Sequence, residues 1–245
     1  MNNITKFKIP SILEDILKDL QKIGATPIIV GGSVRDFFLN IPIKDYDIEI
    51  FGINSLDIIQ KSLEKFGSVK LVGKSFGVLT LSVNEYDFDF ALPRTETKIG
   101  NTHQDFEVIT NSNLSFKEAA IRRDFTINAI GYDFFKEEFL DPFDGINDLK
   151  NKTIKHINDK TFIEDSLRVY RAVQFASRFD FKIDENTKKL CKQMVLNDEL
   201  KLEINLGNHT PNELLHTLSQ RGQITHFVEN IPTINDIFIK TVTNQ

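Results

Sequence analysis

Residues Gly31–Glu49 read GGSVRDFFLNIPIKDYDIE. The apolar run PIIV at 27–30 predicts a short buried strand, Gly31-Gly32 breaks it, and Val34, Phe37, Phe38 and Leu39 predict a helix. Tyr46 to Phe51 predicts a second strand. A strand, a bare backbone turn and a helix start bring N–H groups beside open space, which suits phosphate oxygens. Arg35 adds a positive charge on the first helical turn. Asp45 and Asp47 sit two residues apart at the start of a strand, so both side chains leave one face. Two carboxylates that close repel unless a hard cation lies between them, and Mg²⁺ with phosphate ligands meets that need. Alone, Gly-Gly is most often a turn and D-x-D a weak signal. In this order they describe a site for a nucleoside triphosphate and a metal.

Working outward, Ile12, Leu13, Ile16, Leu17, Leu20 and Ile23 have helical spacing and stop at Gly24. Residues 55–66 are helical, and VKLVG (69–73), FGVLTLSV (76–83) and YDFDFAL (86–92) read as strands. The last two form a hairpin turning at Asn84-Glu85. Asp87 and Asp89 alternate with aromatics and could face Asp45 and Asp47. Asp87 is read as a solvent-facing residue. Asp89 is a candidate third carboxylate, either accepting the proton of an attacking hydroxyl or completing a metal shell. Residues 93–114 are polar and read as a long loop. A long amphipathic helix is expected from Phe162 to Phe179 and another over 184–197. After about residue 200 the pattern fades, leaving one helix-like piece, NELLHTLSQ. His209 and His216 there read as ordinary surface residues.

Bulk properties exclude several classes. With 245 residues, 40% apolar and 27% charged, the chain is an ordinary globular protein rather than a disordered one. The single cysteine, Cys191, excludes an internal disulfide framework and suits a reducing cytoplasm. No apolar run approaches the roughly 20 residues of a membrane span, and the N-terminal residues lack a signal-peptide core, so a cytoplasmic location is expected. The net charge of −5 argues against sequence-blind coating of nucleic acid. The charge is uneven, with 17 Lys+Arg against 23 Asp+Glu over 1–150 and 13 against 12 over 151–245, so a polyanion should meet the second part.

Four ordered motifs now converge. GGSVRDFFLNIPIKDYDIE, RRDFTINAIGYD (122–133), LDPFDGINDL (140–149) and EDSLRVYRAVQFASRFDF (164–181) resemble the successive motifs of the class II tRNA nucleotidyltransferases. That family comprises the CCA-adding enzymes and bacterial poly(A) polymerases, and the likeness spans about residues 25–197. It implies an α+β fold: a nucleotidyltransferase head with a small mixed sheet and flanking helices, then a helical neck. The expected division is a head over 1–150, a neck over 151–200 and a short C-terminal segment of unclear role over 201–245. The resemblance also implies Mg²⁺-dependent addition of C and/or A from CTP and ATP to the 3′ end of tRNA or another RNA. Asp45, Asp47 and Asp89 would be catalytic, with Asp45 and Asp47 holding Mg²⁺. Gly31, Gly32 and Arg35 would hold the triphosphate, and Arg123 and Asp124 the phosphates and ribose. From its residues alone, without the other motifs, RRDFTINA reads as a capped turn with Asp124 paired to a nearby arginine.

In the neck motif, Asp165, Arg168, Arg171 and Gln174 recur every three residues, forming one polar stripe on a helix. An acceptor beside donors matches the amino group and ring nitrogen of cytosine or adenine, so Asp165 and Arg168 could choose C or A over G or U. Read plainly, the pair is a surface salt bridge worth a few tenths of a kcal/mol. Arg171 would contact the nucleotide phosphates, and Glu164 is read as a cap or neck contact. Gln174 stands where the family often has another arginine. The helical body and tail that follow the neck in the family are not recognisable after residue 200, so a second chain is a possible partner for gripping RNA.

Overall fold

The computed structural model describes residues 7–72, 77–99 and 106–194. The chain divides into two compact units, Met1–Asp198 and Glu199–Gln245, and all described residues lie in the first. The helix-like piece at 212–220, His209 and His216 lie outside the described residues.

Helix α1 (Ser11–Lys22) buries Leu13, Ile16, Leu17 and Leu20, the apolar face anticipated by their spacing. Strand β1 (Thr26–Val30), helix α2 (Gly32–Phe38), strand β2 (Asp45–Phe51) and helix α3 (Leu56–Leu63) follow. Next come β3 (Val69–Val72), β4 (Val78–Val83) and β5 (Tyr86–Ala91). The β4–β5 hairpin turns at Asn84-Glu85 with Val83 opposite Tyr86, and Asn84 takes the left-handed conformation (φ 57°) that asparagine tolerates.

The polar stretch expected to be a loop contains a hairpin instead: β6 (Arg94–Lys98) pairs antiparallel with β7 (Phe106–Thr110) in a separate two-stranded sheet. RTETK lacks the apolar alternation that announces a strand, because this hairpin stands apart from the main sheet and pairs chiefly through its backbone. Helix α4 (Phe116–Ala120) opens with a capping box, in which the Ser115 hydroxyl accepts from Glu118 N–H and the Glu118 carboxylate accepts from Ser115 N–H. A 3₁₀ turn over Thr126–Asn128 leads into β8 (Gly131–Asp133) and β9 (Glu138–Leu140), then α5 (Gly145–Lys150) and β10 (Thr153–Ile154).

The neck helix predicted as continuous is broken into α6 (Asp159–Ile163) and α7 (Leu167–Phe179). The break has a local cause: the Asp165 carboxylate accepts the Leu167 N–H at 3.0 Å, offering the backbone an alternative to a continuous helix. Strand β11 (Lys182–Ile183) and helix α8 (Glu185–Gln193) complete the described fold.

The main sheet has the order β3-β4-β5-β2-β1-β8-β9. Only β2 and β5 run parallel within it, making it mixed. Because β2 alternates, Tyr46, Ile48 and Ile50 enter the main core while Asp45, Asp47 and Glu49 take the opposite face. Register sets Asp45 beside Asp87 and Asp47 beside Asp89 on the parallel strand. The flanking β1 residues Val30 and Ile28 stand opposite Asp47 and Glu49 and join a smaller buried cluster with Phe51 and Ala119. One sheet face therefore changes from apolar on β1 to carboxylate-bearing on β2 and β5. Among the described residues no helix is long and apolar enough to cross a membrane.

Candidate active site

The carboxylates come from two adjacent strands. Asp45 and Asp87 are exposed, Asp89 is half-buried, and hydroxyls from β4 orient the β5 pair. Thr80 Oγ1 donates to Asp89 Oδ1 at 2.5 Å, and Ser82 Oγ to Asp87 Oδ1 at 2.6 Å. The LTLS alternation opposite DFDF was the sequence signal for these two hydroxyls.

Asp47 reaches solvent, and its surroundings still set the direction of its pKa. Burial pushes its carboxyl pKa up; Arg123 opposes this, Asp89 and Glu49 add to it, and the net shift is upward. That is the state of a carboxylate short of positive charge, which a bound cation would relieve. Among the described residues no group of three or more His, Cys, Asp or Glu is arranged to hold a metal. A divalent ion held by Asp45 and Asp47 would thus draw its remaining ligands from phosphates and water, as Mg²⁺ commonly does.

Gly31 lies against this cluster. Its φ of 74° is left-handed, and a Cβ added there would lie 2.9 Å from Arg123 Nη1 and 3.3 Å from Asp47 Oδ2. The glycine therefore makes room for the guanidinium and the carboxylate side by side. Its N–H is taken by Ile130 O at 3.2 Å.

Arg123 is held from below. Glu49, only 2% exposed, accepts with one oxygen, Oε1, from Arg123 Nη2 at 2.8 Å and Arg122 Nη2 at 2.6 Å. Burial acts to raise the Glu49 pKa, but the Arg123 and Arg122 charges outweigh it and hold the carboxyl below its ordinary value. Arg122 Nη1 also lies 3.5 Å from Glu96 of β6, which pairs with Arg94 at 2.9 Å. Glu49, Arg122 and Glu96 were absent from the sequence-derived site, although Glu49 is simply the next step of the D-x-D alternation.

Three predicted binding arginines are engaged structurally. Arg35 is 5% exposed: it pairs with Asp36 at 2.7 Å, donates from Nη1 to Asn128 Oδ1 at 2.7 Å, and lies 5.2 Å from the Phe175 and 4.9 Å from the Phe179 ring centroids. It joins α2 to α7, and its Nη2 lies 3.5 Å from where a Cβ on Gly32 would stand. Arg168 is also buried, with Nη1 donating to Thr161 O (3.0 Å) and Nη2 to Arg122 O (2.6 Å). Its Nε stands 4.0 Å from Asp165, so the two remain neighbours although Asp165 precedes α7 and the expected stripe begins only at Arg168. Arg171 donates to Asp124 Oδ2 at 2.5 Å. Asp124 also accepts through Oδ1 from Phe125 N–H and Asn128 Nδ2, which makes it the hub of a capped turn joined to the neck.

A mixed sheet with a glycine turn set against paired aspartates is the arrangement of a nucleotidyltransferase-type head. The family model described as "Poly A polymerase head domain" matches residues 28–155, and the chain belongs to that family. A second model, "ATP-binding protein DrrA1-3-like, C-terminal domain", matches residues 147–242. Similar relatives include the "Multifunctional CCA protein" of Pseudoalteromonas atlantica, 37% identical over 175 residues, covering 70% of this chain and 41% of the relative. That of Nitrosospira multiformis is 32% identical over 216 residues, covering 84% and 50%. Among solved structures, a CCA-adding enzyme in an apo form aligns with a TM-score of 0.64 and 32% identity over 76% of this chain and 44% of that one. The Bacillus stearothermophilus CCA-adding enzyme in complex with CTP aligns with a TM-score of 0.61 and 26% identity, again over 76% and 44%. The chain thus spans half or less of the length of these relatives.

Proposed function

We propose that this chain adds C and/or A to the 3′ end of tRNA, or of another RNA, from CTP and ATP. The observation that carries the reading is the alignment of Asp45 and Asp47 with Asp87 and Asp89 on one sheet face, with Gly31 and Arg123 against Asp47. We assign residues 1–150 to the catalytic head, 151–200 to the neck and 201–245 to a C-terminal segment. The single cysteine suits work in the cytoplasm.

The RNA 3′ oxygen attacks the α-phosphorus of the bound nucleotide, a new phosphodiester bond forms, and the bond to the bridging oxygen breaks to release pyrophosphate. Asp45 and Asp47 would hold Mg²⁺, which when bound stabilises charge on the attacking and leaving oxygens. We assign Asp89, which accepts from the Thr80 hydroxyl, to take the hydroxyl proton and Arg123 to offset phosphate charge. Gly32 offers a backbone donor to the triphosphate, and Asp124 and Arg171 fix the turn that carries Arg123. Asp165 and Arg168 are assigned to base choice, with Arg168 Nε 4.0 Å from Asp165 Oδ2.

The test is to supply purified chain with Mg²⁺, tRNA ending before its CCA and each nucleotide in turn, resolving products at single-nucleotide length. Growth by C, C and A supports the full reaction. Growth by only some of these defines a CC-only or A-only specialist, and a long A tail defines a poly(A) polymerase. Nucleotide binding without growth overturns the reading for this chain alone and directs the search to a second chain that grips RNA.

A further inference from the structure

The buried Glu49 has no part in the chemistry above, yet it anchors Arg123 through Nη2, while Nη1 lies toward Gly31 and donates to Asn128 O at 3.4 Å. We propose that Glu49 is a positioning residue that fixes Arg123 over Gly31, where its guanidinium meets the nucleotide phosphates. This rests on the nucleotide-binding reading of the same site.

The geometry gives three reasons. First, Arg123 occupies the space that any side chain at Gly31 would take, with Nη1 toward Gly31 and Nη2 on Glu49. The guanidinium thus stands beside Asp47 while its hydrogen-bonded ion pair is made one step down the strand, leaving the Asp47 carboxylate open. Second, Glu49 meets Arg123 and Arg122 with the same oxygen. Its other oxygen, Oε2, and the Nε atoms of both arginines are buried without hydrogen-bond partners among the described residues. One unpartnered acceptor and two unpartnered donors in a single cluster leave it capacity to re-pair as Arg123 shifts toward a ligand. Third, the cluster is not isolated: Arg122 carries the same anchor to Glu96, midway along β6. An unpaired buried charge is costly, so the carboxylate and its two guanidiniums hold one another in place.

The sign of the effect separates positioning from simple electrostatics. Removing a carboxylate near a phosphate site raises the local positive potential, which by Coulomb's law alone would tighten triphosphate binding. Loss of positioning weakens it instead. Binding of CTP and of cytidine would be measured by equilibrium dialysis without metal for wild type, Glu49→Gln, Glu49→Asp and the charge-balanced Glu49→Gln/Arg122→Gln. The expected result is a fall of about tenfold in the preference for CTP over cytidine in both Gln variants, the worth of one charge-assisted contact. Glu49→Asp, which keeps the charge with a shorter reach, should restore part of it.

A loss of fold would lower binding of both ligands together and leave the preference for CTP over cytidine unchanged. The charge-balanced variant keeps the test open if Glu49→Gln alone does not fold. An unchanged or increased CTP preference in folded variants would overturn the positioning role. Absence of any CTP preference in wild type would overturn the phosphate-site reading itself.

Discussion

At the scale of single residues, Asp47 carries two opposed demands. Its raised pKa means that the ionised form costs folding stability without a cation. Asp47→Asn should therefore melt at a higher temperature than wild type in metal-free buffer at pH 7. The gain should shrink as pH falls toward the ordinary carboxyl value of 3.8, where wild-type Asp47 is protonated as well. The same variant should lose transfer by a factor on the order of 10² to 10³ or more, as when a group that stabilises developing charge is removed. Calorimetry and single-turnover kinetics on one preparation check both halves. Glu49 has the opposite sign: its depressed pKa contributes stability that is full above its ordinary value of 4.5 and is lost as pH falls through the lower folded value. Glu49→Gln should flatten the dependence of the urea midpoint on pH below 4.5, and an unchanged acid limb would refute the pairing. The aspartates were legible in sequence because strand alternation is strict. Glu49 obeyed the same alternation, but its partners on 122 and 123 are fixed only by the tertiary fold.

At the scale of elements, the neck departs most from its sequence pattern. The stripe Asp165, Arg168, Arg171, Gln174 reads as one exposed helical face, but α7 starts at Leu167 and turns Arg168 inward onto the carbonyls of Thr161 and Arg122. Periodicity locates a polar face without saying whether water or backbone carbonyls lie beneath it. Arg168→Ala should then cost about 2 kcal/mol of stability, from losing charge-assisted bonds to two part-buried carbonyls, besides relaxing base choice. Denaturant unfolding reads the first effect and competition among the four nucleotides the second. Stability equal to wild type would remove the anchoring role. The β6–β7 pair was hidden for a different reason: β6 (RTETK) is wholly polar, and although β7 (FEVIT) carries Phe106, Val108 and Ile109, the two strands pair outside the main sheet.

At the scale of the whole described unit, head and neck elements are joined through the site. Arg35 on α2 bonds Asn128, Asn128 bonds Asp124, and Asp124 bonds Arg171 on α7, while Phe175 and Phe179 of α7 flank Arg35. The order of the four sequence motifs announced that these segments belong together. The contacts joining them could not be read, since Arg35 and Asn128 are separated by 93 positions. Arg35→Met should keep much of the packing between the Phe rings but leave Asn128 and Asp36 without their cation. We expect a loss of about 2 to 3 kcal/mol together with weaker nucleotide binding, measured by melting and dialysis.

The central claim, that Asp45 and Asp47 hold a divalent ion beside a triphosphate bounded by Gly32 and Arg123, is tested most directly by a crystal structure with CTP and Mn²⁺ using anomalous scattering. The account predicts a metal peak bridging the two aspartates and a phosphate, with the guanidinium of Arg123 over the phosphates. A triphosphate bound away from β2, or a metal that ignores Asp45 and Asp47, would contradict it.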